Sequence, residues 1–132
     1  MQEEAQTLEL NSKPESLIEV ESLVEGMKDR YNVSEDVFGN MLVALTEAVT
    51  NAIYHGNHND SSKKVKVHIS KHDSNLAFSI KDEGAGFDPE KLRDPTAPEN
   101  LDKPAGRGVF LIKQLADKVE FLDGGSRVNI TF

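Results

Sequence analysis

The sequence predicts an α+β fold: a two-layer sandwich, with a mixed β-sheet carrying helices on one face. Three observations lead there. Apolar residues recur at helical spacing in some segments and at alternate positions in others. The segments run strand, helix, helix, two strands, a long irregular stretch, helix, two strands, an order that gives one sheet and one helical layer. The length, 132 residues, suits a single domain spanning 1–132 around one core.

Taken in order, Gln6, Thr7, Leu8, Glu9 and Leu10 alternate polar and apolar, as a first strand does. Pro14 opens a helix whose apolar residues Leu17, Val20, Leu23, Val24 and Met27 fall on one side. Ser34, followed by Glu35 and Asp36, has the form of an N-cap with acidic first-turn residues. The helix it opens repeats Phe38, Met41, Leu42, Leu45, Ala48, Val49 and Ala52 and is expected to end near Gly56. Val65, Val67 and Ile69, then Leu76, Phe78 and Ile80, give two strands joined near Asp73–Asn75. A glycine turn at Asp82–Phe87 precedes residues 88–106, which contain four prolines and little periodicity; so long a loop in a small domain suggests a lid. Val109–Ala116 reads as a helix, and Val119–Leu122 and Val128–Phe132 as a hairpin about Gly124–Gly125.

Composition narrows the function. There are no cysteines, which excludes disulfides and thiolate metal sites and suits a reducing compartment. The balance of 15 basic and 23 acidic residues, net −8, repels phosphate backbones, so no nucleic acid is expected as a direct partner. No signal peptide is evident at Met1–Glu4, and runs such as Met41–Leu45 are too short to cross a bilayer. The expectation is a cytoplasmic protein with no membrane partner.

Three groups of residues could carry chemistry. Glu47 and Asn51 stand four apart on the long helix and so project from one side, expected opposite the apolar stripe, with Asn40, Tyr54 and His58 near the same line. An amide oxygen suits Mg²⁺, and a neighbouring carboxylate can accept the proton of an attacking hydroxyl. Such a pair is also common on a wet helix and identifies nothing alone. The second group, Asp82-Glu83-Gly84-Ala85-Gly86-Phe87, follows a strand. Its glycines permit close approach of a ligand to the backbone, and a strand-end carboxylate can accept from the exocyclic amine of adenine, although a plain turn has the same form. As a calcium loop it fails, because glycines fall at ligand positions and Arg93 replaces the closing glutamate; as a dinucleotide fingerprint it lacks the third glycine. The third group, Gly106-Arg107-Gly108 before Val109, would offer free N–H groups and a guanidinium to phosphate, or would merely join loop to helix. No Walker A sequence is present. His55 is read as a helix-end side chain, His58, His68 and His72 lack zinc-ligand spacing, and Lys63, Lys64 and Lys66 are read as a solvated strand edge.

The order of these groups resembles the GHKL, or Bergerat-fold, ATPases over about residues 6–132. Residues 45–57, LTEAVTNAIYHGN, look like the N-box of the bacterial anti-sigma-factor serine kinases, and Asp94–Asn100 and Gly106–Ile112 like the lid and second glycine box of that branch. The resemblance implies ATP and Mg²⁺ as cofactors. Glu47 would be the general base and Asn51 the Mg²⁺ ligand. Asp82 would read the adenine amine, with Gly84 and Gly86 shaping the pocket. Gly106, Arg107 and Gly108 would meet the phosphates, and Ser126 would stand where the family usually has a threonine near adenine. Phe110 departs from a glycine frequent in the wider superfamily.

With no helix carrying a phosphoacceptor histidine, a complete histidine kinase is not expected. The resemblance implies a protein-serine kinase acting on an anti-sigma-factor antagonist, binding a sigma factor and working as a homodimer. The alternative is a non-catalytic, sequestering module in which ATP only sets the conformation.

Overall fold

The computed structural model describes residues 4–57, 60–72, 75–84, 107–123 and 126–132. In chain order these form β1 (Glu4–Asn11), α1 (Ser16–Arg30), α2 (Glu35–Asn51) and a π turn (Ala52–Gly56) that continues α2. Then come β2 (Lys64–His72), β3 (Asn75–Lys81), α3 (Arg107–Leu115), β4 (Lys118–Leu122) and β5 (Arg127–Thr131). The expected lid at 88–106, residues 85–87 of the glycine turn, His58, the tip of the β2–β3 turn and the Gly124–Gly125 pair lie outside the described residues.

Local chemistry accounts for the helix ends. Pro14 sits in a tight lead-in rather than in the helix: the N–H groups of Ser16, Leu17 and Ile18 donate to Lys13, Pro14 and Glu15 carbonyls, each three residues back. Ser34 caps α2, its Oγ accepting from Val37 N at 3.3 Å. α3 starts at Arg107, two residues before the expected boundary, so Arg107 and Gly108 belong to its first turn. Between α2 and β2, Asp60 Oδ1 accepts from the N–H and the hydroxyl of Ser62, and these bonds hold its carboxyl below the usual carboxylate range.

The sheet order is β1-β2-β3-β5-β4, and every neighbouring pair is antiparallel. The sandwich is as expected, but the sheet is not mixed. Two helices between β1 and β2 bring the chain back reversed, whereas the connection from β3 to β4, in which α3 is the helix among the described residues, restores the direction of β3. Those two strands would pair in parallel if they touched, but β5 lies between them. The order also corrects the reading of the lysine run. Lys64 and Lys66 lie on β2, an interior strand, because β1 pairs outside it. Lys66 Nζ stands 3.7 Å from Glu9 Oε2, an exposed pair worth little to stability.

Register places the core. One cross-strand row runs Leu8, Val67, Ile80, Val128, Phe121, and the next Gln6, Ile69, Phe78, Ile130, Val119. Val67, Ile69, Phe78, Ile80, Val128 and Ile130 are buried together with Val20, Val24 and Met27 of α1 and Met41, Ala44, Leu45, Ala48 and Val49 of α2. Phe78 adds an edge-to-face contact with Phe132, ring centroids 5.9 Å apart. The opposite face carries residues such as Lys66, His68, Ser79 and Asn129. Phe78→Ala is expected to destabilise the fold by about 3–5 kcal/mol, and Lys66→Ala by less than about 0.5 kcal/mol, both read from urea denaturation midpoints; equal losses would contradict this layering.

Candidate functional site

At one end of the sheet a narrow hollow of about 260 Å³, its open mouth included, lies between the C-terminal half of α2 and the strands. Ala48, Asn51 and Ala52 form its helical wall, Ile80, Phe121 and Val128 its sheet wall, and Ile112 of α3 closes one side. Asp82 and Ser126 complete it. Water could occupy only about 10 Å³ of it, so it is a narrow cleft; apolar walls with a few converging polar groups are the usual lining of a small-molecule site.

Each polar group is set in place by backbone geometry. Asp82, 3% exposed, stands just past β3, and its N–H donates to the Ser126 carbonyl at 2.9 Å, tying β3 to the start of β5. Its Oδ1 accepts from Gly84 N at 2.9 Å. Ser126 is held in turn by Asp123, whose carbonyl accepts from the Ser126 hydroxyl at 2.9 Å. Asp123 itself takes a left-handed backbone, φ 54°, and lies 3.4 Å from Lys81 Nζ and 3.6 Å from Arg127 Nε.

Asn51 corrects the sequence reading. It is 9% exposed and lines the hollow beside Ala48 and Ala52, on the sheet-facing side of α2 rather than opposite the apolar stripe. At 100° per residue it falls only about 20° from Ala44, on the flank of the buried face. Glu47, one turn earlier and about 6 Å back along the axis, is half-buried and does not line the hollow. Asn40 and the exposed Tyr54 also stay outside it. Asn51, Asp82 and Ser126 thus converge, with Glu47 adjacent along the helix. Gly86 and Gly106 lie outside the described residues, and Arg107 and Gly108 are described only as the opening backbone of α3.

Two contributors escaped the sequence reading. Gly56, read only as a helix stop, lies against Asp82: a β-carbon there would overlap the Asp82 carboxylate, and one on Gly84 would overlap the Gly56 carbonyl. Asn57, wholly buried, donates through Nδ2 to Ser12 Oγ at 2.7 Å and Lys64 O at 3.1 Å, and accepts from Glu83 N at 2.8 Å through Oδ1. The succession Gly56-Asn57 behind a helix was the available signal, but it is equally the signal of an ordinary helix end.

A larger, more open groove of about 1070 Å³ lies at the other end of the sheet, lined by Tyr31, Lys71, Leu76 and Phe132 among others. None of Glu47, Asn51, Asp82, Gly84 and Ser126 lines it. Size alone therefore does not locate the site.

A helical layer on an antiparallel sheet, with a carboxylate at the end of β3 facing an asparagine of α2, defines a class. The chain belongs to the histidine kinase-like ATPase domain family, whose model matches residues 10–132. This bears out the resemblance to the GHKL superfamily and its anti-sigma kinase branch. More particularly, the chain is similar to the serine-protein kinase RsbW of Oceanobacillus iheyensis, with 28% identity over 86% of this chain and 75% of that protein. It is 27% identical to the serine-protein kinase RsbW of Listeria monocytogenes over 95% of this chain and 84% of that one. Among solved structures, that of the RsbU and RsbW domains of Rv1364c from Mycobacterium tuberculosis superposes with a TM-score of 0.67 at 16% identity, covering 98% of this chain and 31% of that longer one. That likeness shows the fold. Among the described residues, no helix is long and apolar enough to cross a membrane.

Glycine substitutions separate the tight position from an open one. Gly56→Ala is expected to cost about 1–3 kcal/mol by overpacking, whereas Gly39→Ala, exposed on α2 with nothing near its missing β-carbon, is expected to gain about 0.5–1 kcal/mol. Denaturant titration of both variants reads the two signs, and a tolerated Gly56→Ala would mean that the Asp82 contact is not tight.

Proposed function

We propose that this chain is a Mg²⁺- and ATP-dependent protein-serine kinase that acts as an anti-sigma regulatory factor, transferring phosphate to a serine of a separate anti-sigma-factor antagonist. The cytoplasmic setting, the homodimer and the binding of a sigma factor are parts of the same proposal. The observation that carries it is the buried Asp82 carboxylate at the edge of an apolar slot shared with Asn51 and Ser126.

The donor set fits the nucleotide. Ile80, Ile112, Phe121 and Val128 offer apolar walls to a purine ring, while Asp82, an acceptor, suits its exocyclic amine and Ser126 adds a hydroxyl. Among the described residues no three acidic or histidine side chains cluster tightly enough to hold a metal unaided. That fits Mg²⁺, which usually takes one or two protein ligands and completes its shell with phosphates and water. Bound ATP with Mg²⁺ supplies the γ-phosphoryl group and neutralises its charge.

The protein's part is to bind, orient and take up a proton. Asp82 would fix the base, with Gly84 keeping the backbone close and Gly86 assigned the same part by the resemblance. The amide oxygen of Asn51 would ligate Mg²⁺. Arg107 and Gly108, at the opening of α3, would meet the phosphates through N–H groups and the guanidinium, together with Gly106. Glu47, one turn from Asn51, would accept the proton of the incoming serine hydroxyl as that oxygen bonds to the γ-phosphorus and the bond from phosphorus to the bridging oxygen breaks, with ADP leaving.

Glu47→Ala is expected to lower phosphate transfer by about 10²–10⁴-fold while leaving ATP affinity within about twofold, measured with radiolabelled ATP, Mg²⁺ and a purified antagonist domain. Transfer at the parent rate would remove Glu47 from the mechanism. ATP binding by the parent with no transfer to any antagonist would leave a nucleotide-gated sequestering module instead. Asp82→Asn, which turns an acceptor into a mixed donor and acceptor, is expected to weaken ATP binding about tenfold or more; unchanged affinity by calorimetry would refute the adenine role.

A further inference from the structure

We propose that Asn57 is a positioning residue for the nucleotide site, acting through the turn Asp82-Glu83-Gly84; the inference rests on the function proposed above. Its placement begins with the π turn. The Asn57 N–H donates to Ala52 O at 2.8 Å, five residues back, so the helix widens by one residue before it stops. That extra residue brings Gly56 onto the Asp82 carboxylate and drives the Asn57 side chain into the fold, where it is 0% exposed.

Once there, the carboxamide joins three chain segments. Nδ2 donates to Ser12 Oγ after β1 and to Lys64 O at the start of β2. Ser12 Oγ donates its own O–H to Lys63 O at 2.8 Å, which closes the network on that side. Oδ1 accepts from Glu83 N. The next amide, Gly84 N, reaches Asp82 Oδ1, and the Glu83 carboxylate accepts from Lys64 N. Both amides after Asp82 are therefore committed, one to Asn57 and one to Asp82 itself. Asn57 thus holds the backbone that carries Asp82, and the Gly84 amide orients the carboxylate on it. The Asn57 carboxamide is wholly buried, so its bonds are costly to lose.

A purely structural asparagine would affect stability alone; a positioning one also affects the site. The test compares Asn57→Ala, Asn57→Asp and Ser12→Ala in the full chain. Melting temperature, hydrogen exchange of the Glu83 amide and Mg·ATP and Mg·GTP affinities by calorimetry are read for each. Asn57→Ala is expected to lose Glu83 amide protection, weaken Mg·ATP binding about tenfold, the order of one buried hydrogen bond, and narrow the preference for ATP over GTP. Ser12→Ala, which cuts the same network on its far side, is expected to melt lower yet keep Glu83 protected and bind Mg·ATP within about twofold of the parent. Asn57→Asp keeps an acceptor for Glu83, so affinity should follow amide protection in it as in the others, and this variant carries the comparison if Asn57→Ala does not fold. Loss of Glu83 protection with parental ATP affinity would overturn the inference and leave the proposed function standing. A parent chain that binds no ATP would overturn both.

Discussion

The close approach of two backbones, at Gly56 and Gly84, governs where every polar group of the site can sit. One glycine ends the π turn after α2 and the other follows β3, and neither could carry a side chain without displacing the other segment or Asp82. Interiors are packed too densely to absorb such a displacement locally. The contact fixes the end of the helix against the end of the strand, and so sets the separation of Asn51 from Asp82 across the slot. The apolar rows of the sheet make this possible, because Ile80 and Val128 hold β3 and β5 in register directly below.

Buried polar groups are tolerated here because they are satisfied in sequence, each by a neighbour that is itself held. Ser12 and Asn57, both 0% exposed, bond each other and the β2 backbone. Asp82, 3% exposed, takes Gly84 N–H and gives its own N–H to Ser126. A desolvated carboxylate is expensive unless hydrogen-bonded, and one retained at the rim of an apolar slot is suited to recognition.

The charge of the chain bears on the same site. A net −8 field opposes a polyanionic ligand. Screening confines that opposition to about 8 Å at physiological salt, so local donors decide binding. Under the function proposed above, N–H groups at the start of α3 and a counter-charge carried in with the nucleotide would outweigh distant carboxylates, whereas the many phosphates of a nucleic acid would meet the whole acidic surface.

Much of this was legible in the residues. The 3.6-residue repeats of α1 and α2, the Ser34 cap and the alternation in β2, β3 and β5 all appear where the sequence places them. These features arise from short-range sterics and from the side-chain period, which a single segment carries within itself. The spacing of Glu47 and Asn51 and the glycine boxes likewise marked the family before any fold was known. Three things required the tertiary structure: the insertion of β5 between β3 and β4, which makes the sheet antiparallel; the inward turn of Asn51; and the burial of Gly56 and Asn57 against the β3 turn. Each depends on which distant segment arrives beside a residue. Local pattern states that a position is polar, whereas only packing across the chain decides whether that polarity meets water, a neighbouring backbone or a ligand.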